Sequence, residues 1–498
     1  MYRKNDIILD MLLIKQVKIV DGSGSKPFLG DILINGQKIS AIGQNFTKKK
    51  TDEVIDGLGL TAVPGFIDVN NDSDHYLGLF TNPAQTDFVD QGITTVIGGQ
   101  CGASLAPLIY GSLASLDQWA DTERINVDWV SVRELKQVLQ RINLEVNFET
   151  LAGYSTIRRD IVGSTEIRDL TEPEIQIFLK ILNQALNEGS LGISTGLGFL
   201  ESKFTPYAEI KKIVSFVAKR GGVYTTHLRD ERDGLVRSVE ETLLMSKDTG
   251  IKTVISHLRS FRGYERQFNE ALNLIDKSLV DSNVYFNTNP FTETIFPIYS
   301  YLPYWAQNES ADVMLKNIKD PDKQKKIAQE LKTMNLEELI IADARDQESL
   351  IGKSLLEISQ NRQKDAVSVI LDIMESTKMR ARLMSKALSA DAVSLLLNHP
   401  RSFIGTNSAS TLRSKMGREL KMERRTSTFT KYLEILSSQG IPIESIIKKI
   451  TSQPAQIFGL KERGLIKEGY FANLVLLKNT EVDKVIFNGK IKLPNSSS

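Results

Sequence analysis

The chain has 498 residues, which exceeds one ordinary domain and suits a large α/β barrel that carries smaller modules. Hydrophobic residues make up 41% and charged residues 25%, and this balance excludes a mainly disordered or fibrous protein. The 62 Lys and Arg residues nearly cancel the 61 Asp and Glu residues, so no global field attracts nucleic acid or an anionic membrane surface. We therefore expect neither nucleic acid nor a membrane among its partners.

The apolar stretch at residues 7–20 is interrupted by Asp10, Lys15 and Lys18, and no small-residue cleavage site follows it. This pattern predicts a strand and not a signal peptide. No uninterrupted apolar run approaches the roughly 20 residues that are needed to span a bilayer. Cys101 is the single cysteine, which excludes an internal disulfide. The cytoplasm is the expected compartment.

Both chain ends have the pattern of short strands joined by tight turns. Strand-like runs lie at residues 12–20, 31–34 and 39–42, with an Asn35-Gly36 turn between the last two. The same texture returns at residues 473–477 and 484–487, which Asn488-Gly489 follows as a hairpin turn. Neither end has enough strands for a stable core of its own. We expect residues 1–63 and 464–498 to form one small β-sandwich domain.

Between the ends, short apolar strands alternate with longer helical patterns, which is typical of a parallel sheet. Eight strands are predicted, at residues 65–69, 94–99, 147–152, 191–195, 222–226, 252–256, 284–288 and 402–406. Eight such units close into a (β/α)₈ TIM-type barrel, here spanning residues 64–463. The gap before the last strand is too long for one helix, and its helical segments at 320–334, 346–361 and 366–375 indicate an inserted helical subdomain at about 293–398.

Polar residues follow several of these strands, where a barrel of this kind carries its reactive groups. They are Asp72 and Asp74 after the first strand, Cys101 after the second, His227 after the fifth, His257 after the sixth and Asn407 after the eighth. Thiolate and imidazole are the donors that Zn²⁺ prefers, and a catalytic zinc keeps one position open for water. Cys101, His227 and His257 are therefore predicted to hold one zinc per chain. His75 and His399 are interpreted as loop or surface residues.

Several motifs, in order along nearly the whole chain, resemble the N-acyl-D-amino-acid deacylase branch of the amidohydrolases. They are Pro64-Gly65-Phe66-Ile67-Asp68, Gln91-Gly92-Ile93-Thr94-Thr95 with Cys101-Gly102, Ser194-Thr195-Gly196-Leu197, Thr226-His227-Leu228-Arg229, Ile255-Ser256-His257, Gly352-Lys353-Ser354-Leu355 and Arg463-Gly464. The resemblance implies that a zinc-bound water hydrolyses the amide of an N-acyl-D-amino acid, with Cys101, His227 and His257 as ligands of the tight zinc. The implied partner is a small-molecule N-acyl amino acid.

The resemblance also shows departures from the family pattern. The family's His-X-His pair after the first strand corresponds to Asn70-Asn71-Asp72, and its catalytic aspartate after the eighth strand corresponds to Asn407. An amide side chain cannot accept and return a proton near neutral pH, so Asn407 cannot act as general base. Substrate-facing positions of the family correspond to four further residues, namely Phe199, Arg259, Asn289 and Arg424.

Three interpretations stay open. In the first, the chain is a working hydrolase whose acid/base group has moved to Asp72 or Asp74, and Asp72 shares a strand face with Asn70, so it could also ligate a second, weakly held metal. In the second, the chain is a catalytically silent relative that serves as a binding or assembly protein. In the third, it is an amidohydrolase that acts on cyclic amides, since this barrel hosts many chemistries. Barrels of this kind often self-associate, so a homo-oligomer is also an open expectation.

Overall fold

A computed structural model describes residues 11–47, 52–117, 119–120, 122, 125–163, 168–199, 202–307, 311–344, 347–410 and 422–492. Residues 7–10 of the predicted first strand, the chain ends 1–10 and 493–498, and Asp346 lie outside these ranges. The strands are β1 (Met11–Ile19), β2 (Phe28–Asn35), β3 (Lys38–Gly43), β4 (Asp52–Asp56), β5 (Thr61–Pro64), β6 (Phe66–Asp68), β7 (Ile93–Gly98), β8 (Asn147–Thr150), β9 (Ala152–Gly153), β10 (Gly192–Gly196), β11 (Val223–His227), β12 (Lys252–Ile255), β13 (Val284–Thr288), β14 (Thr294–Pro297), β15 (Ile340–Asp343), β16 (Arg382–Ser385), β17 (Ser402–Ile404), β18 (Leu474–Lys478), β19 (Glu481–Phe487) and β20 (Lys490–Lys492).

The α-helices alternate with the strands over most of the chain. They are α1 (Gly78–Thr81), α2 (Thr86–Val89), α3 (Val132–Arg141), α4 (Tyr154–Val162), α5 (Glu172–Asn187), α6 (Tyr207–Lys219), α7 (Leu235–Thr249), α8 (Glu265–Lys277), α9 (Ala311–Lys319), α10 (Pro321–Leu331), α11 (Leu355–Arg362), α12 (Ala366–Ser376), α13 (Ala390–Asn398), α14 (Glu423–Ser438), α15 (Ile443–Ile450) and α16 (Ser452–Phe458). Among the described residues, no helix is both long enough and apolar enough to cross a membrane.

Both chain ends meet in one sheet, as the sequence predicts. Its strand order is β20-β19-β18-β5-β1-β2-β3, and β4 pairs with β1 outside this path. The join between the ends is the antiparallel pairing of β18 with β5, in which Val475 faces Val63. Strand β1 has a bulge between Ile14 and Val17, and it pairs with β4 before the bulge and with β5 after it. The bulge lets one strand serve two neighbours, because it bends the chain.

Parallel strands lie at all eight positions where the sequence predicts them. Strands β6, β7 and β8 form one sheet, and β9, β10, β11, β12, β13 and β17 form another in that order. Only Leu151 separates β8 from β9, so these two sheets continue through a single interrupted strand. The other edges of the two sheets, β17 and β6, also approach each other. Just past their ends, the backbone N–H of Asn407 donates to the backbone carbonyl of Asn70 at 2.8 Å. Strands β7 and β10 are buried throughout, as expected when helices cover a parallel sheet.

The long segment before β17 differs in part from the helical subdomain that the sequence predicts. It contains α9 to α12, and it also contains the three-stranded antiparallel sheet β14-β16-β15. These strands have four residues each, too few for a clear alternation of polar and apolar residues. Helix α11 begins at Leu355, later than predicted, because Ser354 and Glu357 form a capping box there. The segment has its own apolar cluster, formed by residues 296–388 together with Phe261.

Candidate functional site

Three predicted metal ligands lie together at the carboxyl ends of their strands. Cys101 Sγ is 3.9 Å from His227 Nδ1 and 3.8 Å from His257 Nε2, and all three donor atoms lie within 4.8 Å of one another. A tetrahedral zinc with Zn–S of about 2.3 Å and Zn–N of about 2.0 Å would separate S from N by about 3.5 Å. The two S–N distances therefore exceed those of a zinc site by only a few tenths of an ångström, and the donor set fits a zinc ion.

The backbone is strained where these ligands stand. Cys101 has φ of 53° and His257 has φ of 39°, and Asn407 shares this left-handed conformation with φ of 46°. Such conformations are uncommon for residues other than glycine, and they cluster at functional sites because only a well-packed surrounding maintains them. Two of the three donor residues, Cys101 and His257, thus stand on left-handed turns, and their donor atoms lie 3.8 Å apart.

Burial favours the uncharged forms of Cys101 and His227. The pKa of the Cys101 thiol lies well above its usual value, because burial and the nearby carboxylates of Asp72 and Glu231 disfavour the thiolate. Burial, together with the neighbouring His257 and Arg259, lowers the pKa of His227 to about 3, although Glu231 opposes this shift. The His227 imidazole is therefore neutral at physiological pH, the state in which it offers a lone pair to a metal. A cation bound at the centre favours deprotonation of the thiol.

Glu231 lies directly behind the two histidines. Its Oε1 is 3.1 Å from His257 Nδ1, and its Oε2 is 3.8 Å from His227 Nε2. Arg259 donates to the same carboxylate from Nε at 3.2 Å and from a terminal nitrogen at 2.6 Å, and it also donates to Thr294. The guanidinium of Arg259 is thus already engaged by protein groups, whereas the resemblance placed this residue against substrate.

A pocket of about 60 Å³ opens between the loops that follow β6 and β17. Asp72, Asn407 and Arg424 line it, together with Tyr76 and Arg382. Burial alone would raise the pKa of Asp72, but His75, Arg424 and Arg382 outweigh burial and hold that pKa below its ordinary value. Asp72 is therefore ionised at neutral pH and faces the same space as Asn407.

Arg424 joins this pocket to a second, smaller one. It lines both, and the smaller pocket also contains His257, Arg259 and Asn289. Burial lowers the pKa of Arg424 to about 10, against the opposing effect of Asp72, so it still carries its charge at neutral pH. Among the described residues, Arg424 Nε is buried without a hydrogen-bond partner. An unpaired, buried donor is costly, and an anionic ligand group would satisfy it.

Asp74 and His75 differ from what the sequence predicts. Asp74 is fully buried, and its two oxygens accept the backbone N–H groups of His75 at 2.9 Å and Gly99 at 2.6 Å. His75 lies in the loop between β6 and α1, but it is not at the surface: it is only 1% exposed, with Nδ1 3.5 Å from Asp72 Oδ1 and Nε2 donating to the Ala103 carbonyl. Burial would lower the pKa of His75, but Asp74 and Asp72 raise it to about 9.

His399 lies in the loop between α13 and β17, as interpreted, but it is buried and not at the surface. It is 7% exposed, and its Nε2 is 2.8 Å from Asp276 Oδ1 on α8. Its ring centroid is 5.0 Å from that of Phe286 on β13. This histidine therefore stabilises the packing of α13 on the sheet and has no part in the metal centre.

Phe199 forms an apolar wall beside the donor atoms. Its ring centroid is 4.7 Å from that of His227 and 5.6 Å from that of Trp119, which in turn stacks on His75 at 4.5 Å. The turn before Phe199 passes so close that a Cβ on Gly198 would lie 2.6 Å from the His227 ring. Only glycine fits there without moving the ligand.

Asn70 stands where the resemblance places the first histidine of the His-X-His pair, and Asp72 stands where it places the second. Asn70 Nδ2 donates to Asn287 Oδ1 at 3.1 Å, and the same oxygen accepts the His257 backbone N–H at 2.9 Å. Within the described part of the chain, Asn70 Oδ1 is buried without a partner. Asn70 and Asn287 thus link the first strand to the turn that carries His257.

Sequence reasoning missed Glu231, His75 and Arg382 as parts of this site. Glu231 comes four residues after His227, but in a loop, where a spacing of four does not imply proximity. Arg382 comes from β16, far along the chain in the long segment before β17. A carboxylate close to a histidine ligand is the only signal that could have drawn attention to Glu231.

Comparison with known proteins agrees with this architecture. The model of the amidohydrolase family matches residues 356–492. The chain is 28% identical to an N-acyl-D-aspartate deacylase of Alcaligenes xylosoxydans xylosoxydans over 493 residues, covering 97% of this chain and 88% of that protein. It is 26% identical to a D-aminoacylase of the same organism, covering 93% of this chain and 87% of the relative.

A solved structure shows the same α/β fold over the whole chain. It is the N-acyl-D-glutamate deacylase from Bordetella bronchiseptica, complexed with zinc and a phosphonate inhibitor that mimics the tetrahedral intermediate of the reaction. The TM-score is 0.79 at 22% identity, and the match covers 98% of each chain. Over nearly its whole length the chain is therefore similar to the D-aminoacylases, or N-acyl-D-amino-acid deacylases, and its C-terminal part matches the amidohydrolase family.

Proposed function

We propose that this protein is a zinc-dependent hydrolase that cleaves the amide bond of N-acyl-D-amino acids or related N-acyl compounds. The observation that carries the proposal is the cluster of Cys101 Sγ, His227 Nδ1 and His257 Nε2 within 4.8 Å. One zinc per chain fits this set. A bound zinc would supply Lewis-acid activation of water and of the scissile carbonyl. The relatives that act on N-acyl-D-aspartate and N-acyl-D-glutamate support the substrate class.

Asp72 is the general base in this proposal. It lines the larger pocket with Asn407, and its depressed pKa keeps it ionised at neutral pH, so it can accept a proton from water and pass it to the leaving amine. Asp74 is less suited, because both of its oxygens already accept backbone N–H groups. Asn407 cannot carry a proton, but its amide can donate a hydrogen bond to a substrate oxygen.

Arg424 binds the carboxylate of the substrate in this proposal. It lines both pockets, keeps its charge and has an unpartnered Nε. Phe199 forms the apolar wall near His227, and Asn289 lies at the far side of the smaller pocket. A second metal binds weakly, through Asp72, because the oxygen donors of Asn70 and Asp72 after β6 suit Mg²⁺ or Mn²⁺ better than zinc.

The proposed site lies in the larger of two domains. We assign the small β-domain to residues 1–63 and 464–498, and the barrel to residues 64–463 with an insertion at about 293–398. The hydrogen bond from Asn407 to Asn70 supports closure of the eight strands into a (β/α)₈ barrel. The change of partner along β1 at its bulge supports a terminal sheet that folds over into a β-sandwich.

The experiment measures amine release from a panel of N-acyl-D-amino acids and their L enantiomers. The zinc-loaded protein should hydrolyse D substrates, whereas chelation of the metal and the variant Cys101→Ala should both abolish release. Release that persists after both treatments would refute the zinc mechanism. If zinc is bound and no substrate turns over, the silent-relative reading, which Asn407 favours, replaces the hydrolase.

A further inference from the structure

Glu231 makes contacts that no catalytic step described above uses. Its two oxygens lie 3.1 Å from His257 Nδ1 and 3.8 Å from His227 Nε2, so one carboxylate faces two separate imidazoles. In each ring, the nitrogen that faces Glu231 is the one that does not face Cys101 Sγ. Glu231 therefore lies beside the nitrogen of each predicted ligand that points away from Cys101, namely His257 Nδ1 and His227 Nε2.

This arrangement decides which nitrogen of each ring is free for a metal. A neutral imidazole carries its proton on one nitrogen, and a carboxylate that accepts from one nitrogen leaves the lone pair on the other. His227 would bind through Nδ1 and His257 through Nε2, so the two rings need opposite tautomers. The hydrogen bond from His257 Nδ1 at 3.1 Å fixes the tautomer of that ring, and the carboxylate charge 3.8 Å from His227 Nε2 favours the His227 tautomer with its proton on that nitrogen.

Arg259 holds Glu231 in this place. The guanidinium donates to both oxygens of the carboxylate, from Nε at 3.2 Å and from a terminal nitrogen at 2.6 Å. The pair is largely buried, since the side chains of Arg259 and Glu231 are 11% and 13% exposed. A two-point contact with a planar guanidinium restricts the carboxylate more than a lysine ammonium could.

We infer that Glu231, held by Arg259, is the residue that positions both histidines of the metal centre. Arg259 is then a positioning residue and not a contact of the substrate. This inference rests on the proposed zinc site, because the contacts acquire their role only if His227 and His257 are ligands. Outer carboxylates of this kind typically change metal affinity about 10- to 100-fold when they are replaced.

The test is the zinc dissociation constant of the full chain, measured by competition with a chromophoric chelator. Glu231→Gln keeps the size of the side chain but removes the charge that faces both rings, and its amide has one acceptor in place of two. Zinc affinity should fall about 10- to 100-fold. Glu231→Asp shortens the side chain and keeps the charge, and it should lose less affinity than Glu231→Gln.

Glu241→Gln is the matched control. Glu241 also accepts from an arginine at two points, with Arg229 Nε at 3.1 Å and a terminal nitrogen at 2.8 Å. The two side chains of this pair are 24% and 21% exposed, and within the described part of the chain their hydrogen bonds go to each other and to the carbonyls of Lys203 and Thr205, not to the donor histidines. Glu241→Gln should therefore leave the zinc dissociation constant within about 2-fold of the parent value, which is the scatter expected for a distant site.

Two further measurements separate positioning from a general loss of structure. The metal-free variants should each stay folded and unfold in a single cooperative transition, and Glu231→Gln should unfold at a lower temperature than the parent because it breaks the largely buried pair with Arg259. The visible spectrum of the Co²⁺-loaded protein should change in Glu231→Gln and stay unchanged in Glu241→Gln, because it reports ligand geometry. Arg259→Met should weaken zinc binding in the parent but add little in the Glu231→Gln background, since it acts through that carboxylate.

The outcomes distinguish this inference from the proposed function. If the parent chain binds no zinc, the metal site itself is wrong and the inference falls with it. If the parent binds zinc and Glu231→Gln binds it equally well with an unchanged Co²⁺ spectrum, only the role of Glu231 is refuted. If Glu231→Gln and Glu241→Gln lose affinity equally, the effect is general and the positioning role is also refuted.

Discussion

Replacing each of two neighbouring aspartates by asparagine should give opposite results. Asp72 lines the pocket with Asn407 and Arg424, whereas Asp74 is turned inward and binds the backbone of the adjacent turns. We expect Asp72→Asn to lose turnover with little loss of stability. Asp74→Asn should lose stability and keep most of its turnover.

The stability effect follows from the hydrogen bonds of Asp74. Its oxygens accept from Gly99 N at 2.6 Å and from His75 N at 2.9 Å. An asparagine keeps one acceptor and turns an N–H group toward the other donor, so at least one charge-assisted bond is lost. Such a bond contributes about 1.5–3 kcal/mol, and relief of a buried charge offsets part of the loss. The free energy of unfolding should fall by about 1–3 kcal/mol.

The activity effect follows from the role of Asp72. Removing a general base lowers rates about 10²- to 10⁴-fold, which corresponds to about 3–5 kcal/mol of barrier. The assay is kcat/KM for N-acyl-D-amino acids at saturating zinc, with urea unfolding of each variant measured in parallel. If Asp74→Asn loses turnover while Asp72→Asn retains it, the assignment of the base is wrong.

Three further results are expected. Asn407→Asp should change kcat/KM less than about 10-fold, because Asp72 already carries the proton, and a rise of about 10²- to 10⁴-fold would instead place the base at position 407. Gly198→Ala should weaken zinc binding about 10-fold or more, as measured by chelator competition, because its Cβ would lie 2.6 Å from the His227 ring; unchanged affinity would contradict the close packing. Burial lowers the pKa of Lys449 to about 7, so the folded state disfavours the charged form and stability should rise with pH above 7. Between pH 7 and 9 that gain is about 2 kcal/mol, which Lys449→Met should remove in unfolding measurements at the two pH values.

The positions of the strands, and the meeting of Cys101, His227 and His257, could be predicted from the sequence because both depend on local pattern. Strands such as β7 and β10 are short apolar runs between turns, and their burial leaves a plain hydrophobic signal. Cys101, His227 and His257 were predictable because a parallel strand fixes the edge at which its next residue emerges. The structure brings the three together as expected.

The burial of His75, the pairing of Arg259 and the small antiparallel sheet could not be predicted, because they depend on contacts between residues far apart in the sequence. His75 is buried because its loop folds against Trp119 and the Ala103 carbonyl, although its neighbours in sequence are polar. Arg259 has the charge that a substrate contact would need, yet Glu231 from another loop engages it. The small sheet in the long segment before β17 has strands of four residues, too short for periodicity to indicate.

The metal content of the purified chain tests the central claim most directly. Elemental analysis of protein prepared with zinc should give about one zinc per chain, as a single three-ligand site predicts. Cys101→Ala should retain far less, because the thiolate is one of three donors within 4.8 Å. A parent chain without zinc, or a Cys101→Ala variant that binds as much as the parent, would contradict the account.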